Sequence, residues 1–222
     1  MHSRLPPTQM SESFRMGALL AVTGGFFDVY TYLCRGKVFA NAQTGNMVLL
    51  GISVSQGQWL AALQYLLPIA AFAIGIAMAE WLKAKPHGRR IHWRQTVLLL
   101  EMMLVIVAAF LPQRANVAVN ILVSFICALQ VEAFRKVRGS AFATTMCTGN
   151  LRSATEQMMR WHFDKDPAAL SRALRYFAVI AYFILGAALG AVFSLWFHEK
   201  AILLSCLPLS TAFLLMFHEK TK

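Results

Sequence analysis

Charge is what this chain has least of. Charged side chains make up 14% of its 222 residues, against roughly 25% in an average soluble domain. From residue 38 to residue 79 there is no Asp, Glu, Lys or Arg at all. With 58% hydrophobic residues and a mean hydropathy of +0.54, this excludes a disordered chain and argues against a water-soluble globule. Cysteine is scarce too. Cys34, Cys127, Cys147 and Cys206 show no C-x-x-C spacing, so they read as reduced, buried small side chains and not as a disulfide framework or metal site. A phosphate-binding loop, H-E-x-x-H, G-x-S-x-G and a dinucleotide fingerprint are all missing. Thr23-Gly24-Gly25 lies inside an apolar run, and no polar stretch is left for a soluble catalytic domain. The expectation is therefore a protein that is not an enzyme and holds no cofactor or metal.

Acids are rarer than bases, with 10 Asp+Glu against 21 Lys+Arg and a net charge of +11. The basic residues sit between apolar runs. That is the look of cytoplasmic loops in a membrane protein, not of a nucleic-acid surface. The first apolar run follows Arg4 and Arg15 but carries Asp28 and has no A-x-A cleavage site, so it reads as a permanent span.

A bilayer core of ~30 Å needs ~20 helical residues. Six segments qualify or nearly so: 16–33, 59–82, 95–111, 115–131, 176–197 and 201–217. Two more, 39–55 and 141–159, are ambiguous: the first carries Asn41, Gln43, Thr44 and Asn46, and the second, with Arg152, Glu156 and Gln157, is too polar to face lipid. Irregular or half-length elements are tolerated at membrane depth only where protein covers them or they line a cavity. If neither crosses and the N-terminus is cytoplasmic, only Arg35, Lys37, Arg114 and Lys200 of the 21 basic residues fall outside. Eight full spans divide them almost evenly, so the positive-inside rule favours six.

The chain also repeats itself. Thr44-Gly45-Asn46 recurs as Thr148-Gly149-Asn150, and at the same offset Asp28 falls on Glu132 and Tyr30 on Phe134. Beyond the second motif a longer offset maps Tyr65 to Tyr176, Gly75 to Gly186 and Ala79 to Gly190. Each repeat reads as an acid-bearing span, a non-crossing TGN segment and two more spans. Three crossings are odd, so the second repeat enters from the opposite face and the two form an inverted pair. The expected fold is an all-α integral membrane protein with six transmembrane helices plus two half-length TGN segments. Its parts are a cytoplasmic tail (1–15), a first repeat (16–112) and a second repeat with a short cytoplasmic tail (113–222).

The run Thr23-Gly24-Gly25-Phe26-Phe27-Asp28, followed by Phe39-Ala40-Asn41-Ala42-Gln43-Thr44-Gly45-Asn46, resembles the YoaK family of bacterial membrane proteins. With the second TGN the resemblance covers nearly the whole chain. It implies a multi-pass protein of the bacterial inner membrane and carries no activity with it. The second repeat departs from the first, with Thr145 in place of Asn41 and Cys147 in place of Gln43, so any site is only pseudo-symmetric.

The candidate pathway residues are Asp28, Asn41, Gln43, Thr44, Gly45, Asn46, Glu101, Glu132, Thr148, Gly149, Asn150 and Arg152. An ionisable residue in hydrocarbon costs ~2.5–3.5 kcal/mol and usually faces a bundle interior or cavity. Asp28 reads as a proton or cation ligand, or as an acid bonded to Thr23, Thr31 or a neighbouring helix. Glu132 precedes Arg135 and Lys136, the spacing of a helical ion pair. Glu101 lies mid-span with no partner on its own helix. Arg152 can pair with Glu156 or act as a gate. Half-helix N-termini carry partial positive charge, and Asn46 and Asn150 are expected to meet near the axis as solute-facing amides. Alternatively, Thr-Gly-Asn only packs helices closely. Gly75, Gly186 and Gly190 are candidates for close helix packing, within the monomer or across a dimer. Trp59, Trp81, Trp93, Trp161 and Trp196 fit an interfacial belt, and His87 and His92 a solvated basic loop. The expected partners are the lipid bilayer and an unidentified small solute or ion, with a homodimer plausible from the small size and no nucleic acid. The leading expectation is a small secondary transporter or channel. The rivals are a non-transporting scaffold or accessory subunit and, more remotely, a lipid-acting enzyme.

Overall fold

The computed structural model describes residues 13–85, 93–137, 140–141 and 147–218. Most of the N-terminal tail, the loop bearing His87 and His92, Thr145 and the C-terminal Glu219 and Lys220 lie outside the described residues. The helices are α1 (Phe14–Cys34), α2 (Gln43–Ser55), α3 (Trp59–Ala84), α4 (Trp93–Phe110), α5 (Asn116–Ala133), α6 (Cys147–Asp164), α7 (Pro167–Phe197) and α8 (Cys206–His218). A 3-10 turn at Gln113–Ala115 leads into α5, and a 3-10 stretch, His198–Ser205, joins α7 to α8. Among the described residues the only strands are two residues each, Lys136–Val137 paired antiparallel with Ser140–Ala141.

Among the described residues, five stretches are long and apolar enough to cross a membrane: Phe14–Cys34, Trp59–Ala84, Trp93–Phe110, Gln113–Ala133 and Pro167–Met216. The last holds both of the expected segments 176–197 and 201–217. α7 begins ahead of the expected position because the Asp166 carboxylate accepts from Ala168 N–H at 2.9 Å and Pro167 occupies the first turn. The expected final span opens as 3-10 helix and becomes α-helical only at Cys206. The segment 39–55 yields a helix of 13 residues, about 20 Å long and too short for a ~30 Å core. Of 141–159, Ala141 belongs to the short strand pair and the described remainder lies in the polar α6, which begins at Cys147 and, at 18 residues, is as long as α4 and α5 and not the expected half-length segment.

α1 and α5 bury the largest share of their surfaces and stand at the centre. α1 is started by Ser13, whose hydroxyl accepts from Met16 N–H at 3.2 Å. It packs along α7, while α5 packs along α3. Glycines set the first contact. A Cβ on Gly186 would fall 2.0 Å from the Val22 carbonyl oxygen, and one on Gly25 2.0 Å from that of Phe183. Gly190 lies against Phe26, and Gly75 lies against Phe125 and Ala128 of α5. All three candidate packing glycines therefore make backbone approaches within the chain.

End-to-end contacts fix the helix directions. At the C-terminal end of α1, the Arg35 guanidinium reaches Ala108 and Leu111 at the end of α4 and Asn116 at the start of α5. Tyr30 Oη there donates to the Glu199 carbonyl at 2.9 Å. At the opposite end, Arg94 of α4 donates to Ala133 of α5 at 2.8 Å, and Gln130 donates to Leu20 of α1 at 3.1 Å. So α1, α4 and α7 run one way and α5 the other.

Candidate functional site

The segment between α1 and α2 turns back along α1 instead of leaving its end. Gly36 (φ 90°) and Lys37 (φ 63°) reverse the chain. The Asn41 amide Nδ2 then donates to the Gly24 carbonyl at 3.2 Å. Gly24 lies ten residues before the α1 terminus, a depth of about 15 Å at helical rise. From there α2 climbs back toward the same end. It is a short helix of 13 residues that doubles back beside α1.

The motif residues build the tip. Asp28 Oδ1 accepts from the backbone N–H of Asn41 at 2.6 Å and of Ala42 at 3.3 Å. These donors just precede α2, so the carboxylate sits at the positive end of its dipole. Asn46 closes the loop on itself. Its Oδ1 accepts from Phe39 N–H at 3.0 Å, and its Nδ2 donates to the Phe39 carbonyl at 2.7 Å and to Gln43 Oε1 at 2.9 Å. Gln43 Nε2 donates to the Ala40 carbonyl at 2.8 Å. A side chain on Gly45 would meet the Phe39 ring, with its Cβ 2.9 Å from Cδ2. The Phe39 ring itself stacks on Tyr32, centroids 4.9 Å apart. Asn41, Gln43, Gly45 and Asn46 thus hold the turn.

Beside this tip lies a cavity of ≈ 590 Å³. The first turn of α2 enters it through Gln43 and Thr44, and the first turn of α6 through Cys147, Thr148 and Gly149. Asp28 and Asn41 form its polar floor, and Tyr32, Phe39, Phe72 and Phe183 its aromatic walls. Among the described residues no side chain fills the space above Gly149, where a Cβ would meet none of their atoms within 4 Å. α6 runs from here toward the end at which α1 begins. Its Ala154 packs with Ala21, Tyr176 and Val179, and Arg172 of α7 donates to Gln157 at 2.7 Å. The two TGN helices therefore present their N-terminal turns to one cavity and leave it in opposite directions.

Several expectations need correction. Asn46 and Asn150 do not face the cavity. Asn46 is fully buried against Phe39, and Asn150 is buried outside the lining. A full set of partners within the loop turns Asn46 inward. Neither Thr23 nor Thr31 bonds the Asp28 carboxylate, because their hydroxyls donate to carbonyls of α1 itself. Glu132 pairs with Arg135 at 3.1 Å, and Arg152 with Glu156 at 2.8 Å on an exposed face. Neither lines the cavity, and neither does Glu101, which is wholly buried within α4.

Arg35 was placed in an outer loop by charge counting, yet it is fully buried. Its guanidinium donates to Tyr30 Oη (2.8 Å), Leu111 O (3.0 Å), Ala108 O (3.1 Å) and Asn116 Oδ1 (3.2 Å). It caps the C-terminal carbonyls of α4. Its position beside glycine, right after a span, carried no signal of this. Cys147 and the aromatic walls were missed for the same reason. Apolar residues in an apolar sequence do not announce a cavity.

The chain matches the family model described as "Protein of unknown function (DUF1275)" over residues 16–215. It is 32% identical over 175 residues to the UPF0700 transmembrane protein YoaK of Bacillus subtilis, covering 74% of this chain and 77% of that protein. No solved structure matches. The transmembrane relative and the apolar helices make this a membrane protein.

Proposed function

The chain belongs to the DUF1275 family, and from that premise we propose that it is a small transporter or channel whose solute or ion passes the shared cavity. One observation carries the reading: two oppositely directed TGN helices, the short α2 and the 18-residue α6, open their N-terminal turns on a single space beside an intramembrane acid. Broken helices meeting near mid-depth are how many transporters create a polar site inside hydrocarbon.

The reading takes six spans in two inverted repeats, with α7 and α8 as separate crossings. It is supported by an exchange of partners. α1 packs on α7 and α5 on α3, while α2 packs on α3 and α6 on α7. α4 contacts α5 as α8 contacts α1. Each relation maps onto its counterpart when the first four helices are swapped for the last four. Matched glycines follow the same rule, with Gly186 against the first helix of one repeat and Gly75 against that of the other. Under the positive-inside rule both termini are cytoplasmic, in the inner membrane of a bacterium. The reading includes no catalytic step. A homodimer remains part of the proposal.

The test is flux in proteoliposomes exposed to gradients of urea, glycerol, ammonium and acetate, compared with Thr148→Trp. Flux above empty vesicles that the tryptophan abolishes supports the pathway. A second reading, a non-transporting scaffold, draws on the fact that Asp28 is already bonded to the α2 terminus. It expects no flux for any probe and no effect of Thr148→Trp.

A further inference from the structure

We propose that the shared cavity takes a small organic cation, a primary ammonium ion seated on Asp28 with its hydrocarbon body against the apolar walls. This rests on the pathway reading and deepens it by naming the class of solute. Charge comes first. Among the described residues the lining holds one carboxylate, Asp28, and no Lys, Arg or His. The two bases nearest to Asp28 in sequence are committed elsewhere. Arg35 is fully buried and donates to Tyr30, Ala108, Leu111 and Asn116. Lys37 Nζ lies 4.7 Å from the Tyr32 ring centroid, and Lys37 is not part of the lining. A carboxylate at membrane depth is costly unless it is paired. The Asn41 and Ala42 N–H groups answer part of that cost, and both converge on Oδ1. The α2 terminus that carries them supplies about half a positive charge. Oδ2 is the oxygen left for a partner, and the solute brings the missing charge.

Hydrogen-bonding supply points the same way. Asn41, buried on the same floor, has its Oδ1 without a partner among the described residues. The Thr44 and Thr148 hydroxyls add acceptors from α2 and α6. An ammonium group carries three donors and no acceptor, the complement of such a floor. The walls exclude a bare alkali ion as the occupant that fits best. Val29, Phe72 and Phe183 offer no oxygen to a metal, and a space of ≈ 590 Å³ is in the range of organic ligand pockets, roughly 300–1,000 Å³. Aromatic rings beside an ammonium add cation–π attraction.

The test is calorimetric titration of the purified protein in lipid nanodiscs at neutral pH, with empty nanodiscs as the blank. The probes are n-butylammonium and 2-phenylethylammonium, each against the neutral alcohol of the same skeleton. The expected result is saturable binding of at least one ammonium ion, roughly tenfold or more tighter than its alcohol, and weakened about as much by Asp28→Asn. Thr148→Trp, which fills the cavity and leaves Asp28 in place, abolishes it and serves alone if Asp28→Asn does not fold. Binding of neither ammonium ion overturns the proposal. So does equal binding of ammonium and alcohol, which would mean that the helix poles already balance Asp28. Displacement by an equal concentration of sodium, or binding indifferent to Asp28→Asn or Thr148→Trp, overturns it as well. Failure of the pathway reading looks different: the ammonium ion binds as expected, yet no probe crosses in the flux assay. Conversely, flux of urea or glycerol that Thr148→Trp stops, without ammonium binding, leaves the pathway standing and removes this inference alone.

Discussion

Asp28 holds the re-entrant tip, and removing its carboxylate has a calculable effect. The Asn41 N–H, itself buried, donates to it at 2.6 Å, and the Ala42 N–H at 3.3 Å. A hydrogen bond to a charged group contributes about 1.5–3 kcal/mol, a neutral one about 0.5–1.5 kcal/mol. Asp28→Asn keeps an acceptor of the same shape, so the tip loses about 1 kcal/mol. Asp28→Leu strands the Asn41 donor, which adds a desolvation cost and brings the loss to about 2–4 kcal/mol. At about 1.4 kcal/mol per factor of ten, opening of the tip rises roughly fivefold in the first variant and ~30- to 700-fold in the second. Hydrogen exchange read by mass spectrometry on peptides covering residues 38–46 measures this directly, with α4 and α5 peptides as controls. An unchanged exchange rate in Asp28→Leu refutes the capping role. So would a rise spread evenly over the whole chain, because the effect is local by construction.

Arg35→Met removes four donor contacts, strands the Leu111 carbonyl and leaves Ala108 only the 3.4 Å bond from Leu111 N–H; the expected loss is about 2–4 kcal/mol, read as a lower midpoint in detergent unfolding. Arg35→Lys should not rescue it, since an ammonium cannot span acceptors on three elements. Gly186→Ala puts a methyl 2.0 Å from the Val22 carbonyl oxygen, so α1 and α7 must part, at about 1–3 kcal/mol or more. The same assay checks it, with Gly149→Ala as the control that has room for a methyl. Arg152→Ala breaks an exposed ion pair and should move the midpoint by less than about 0.5 kcal/mol equivalent.

Long apolar runs made the helices legible in the sequence, and the TGN repeat pointed to the place where the two halves meet. Asp28 stood out because an acid inside such a run is expensive. The roles within the motif were harder to read. Asn41, Gln43 and Asn46 are all amides, and only the turn decides that Asn46 faces Phe39 while Thr44 faces the cavity. Arg35 misled for a related reason: charge counting treats every arginine after a span as solvated, whereas this one reaches inward to carbonyls more than 70 residues away. The helix ends differed where side chains intervene, as Asp166 and Pro167 do at α7. The glycine face of α7 was visible as spacing, but the packing role of its counterpart Gly25 was not, because Gly17, Gly24 and Gly25 of α1 form no G-x-x-x-G spacing.

The central claim is that α2 enters and leaves by one face while α6 opens to the other. Single cysteines at Lys37, Gln58 and Asp164, in a chain with its four native cysteines replaced, test it by labelling of spheroplasts with an impermeant maleimide. The account predicts that the Lys37 and Gln58 positions react from outside and that Asp164 reacts only after the membrane is opened. Reaction of Lys37 and Gln58 from opposite faces would make 39–55 a full span, and the half-helix cavity could not stand.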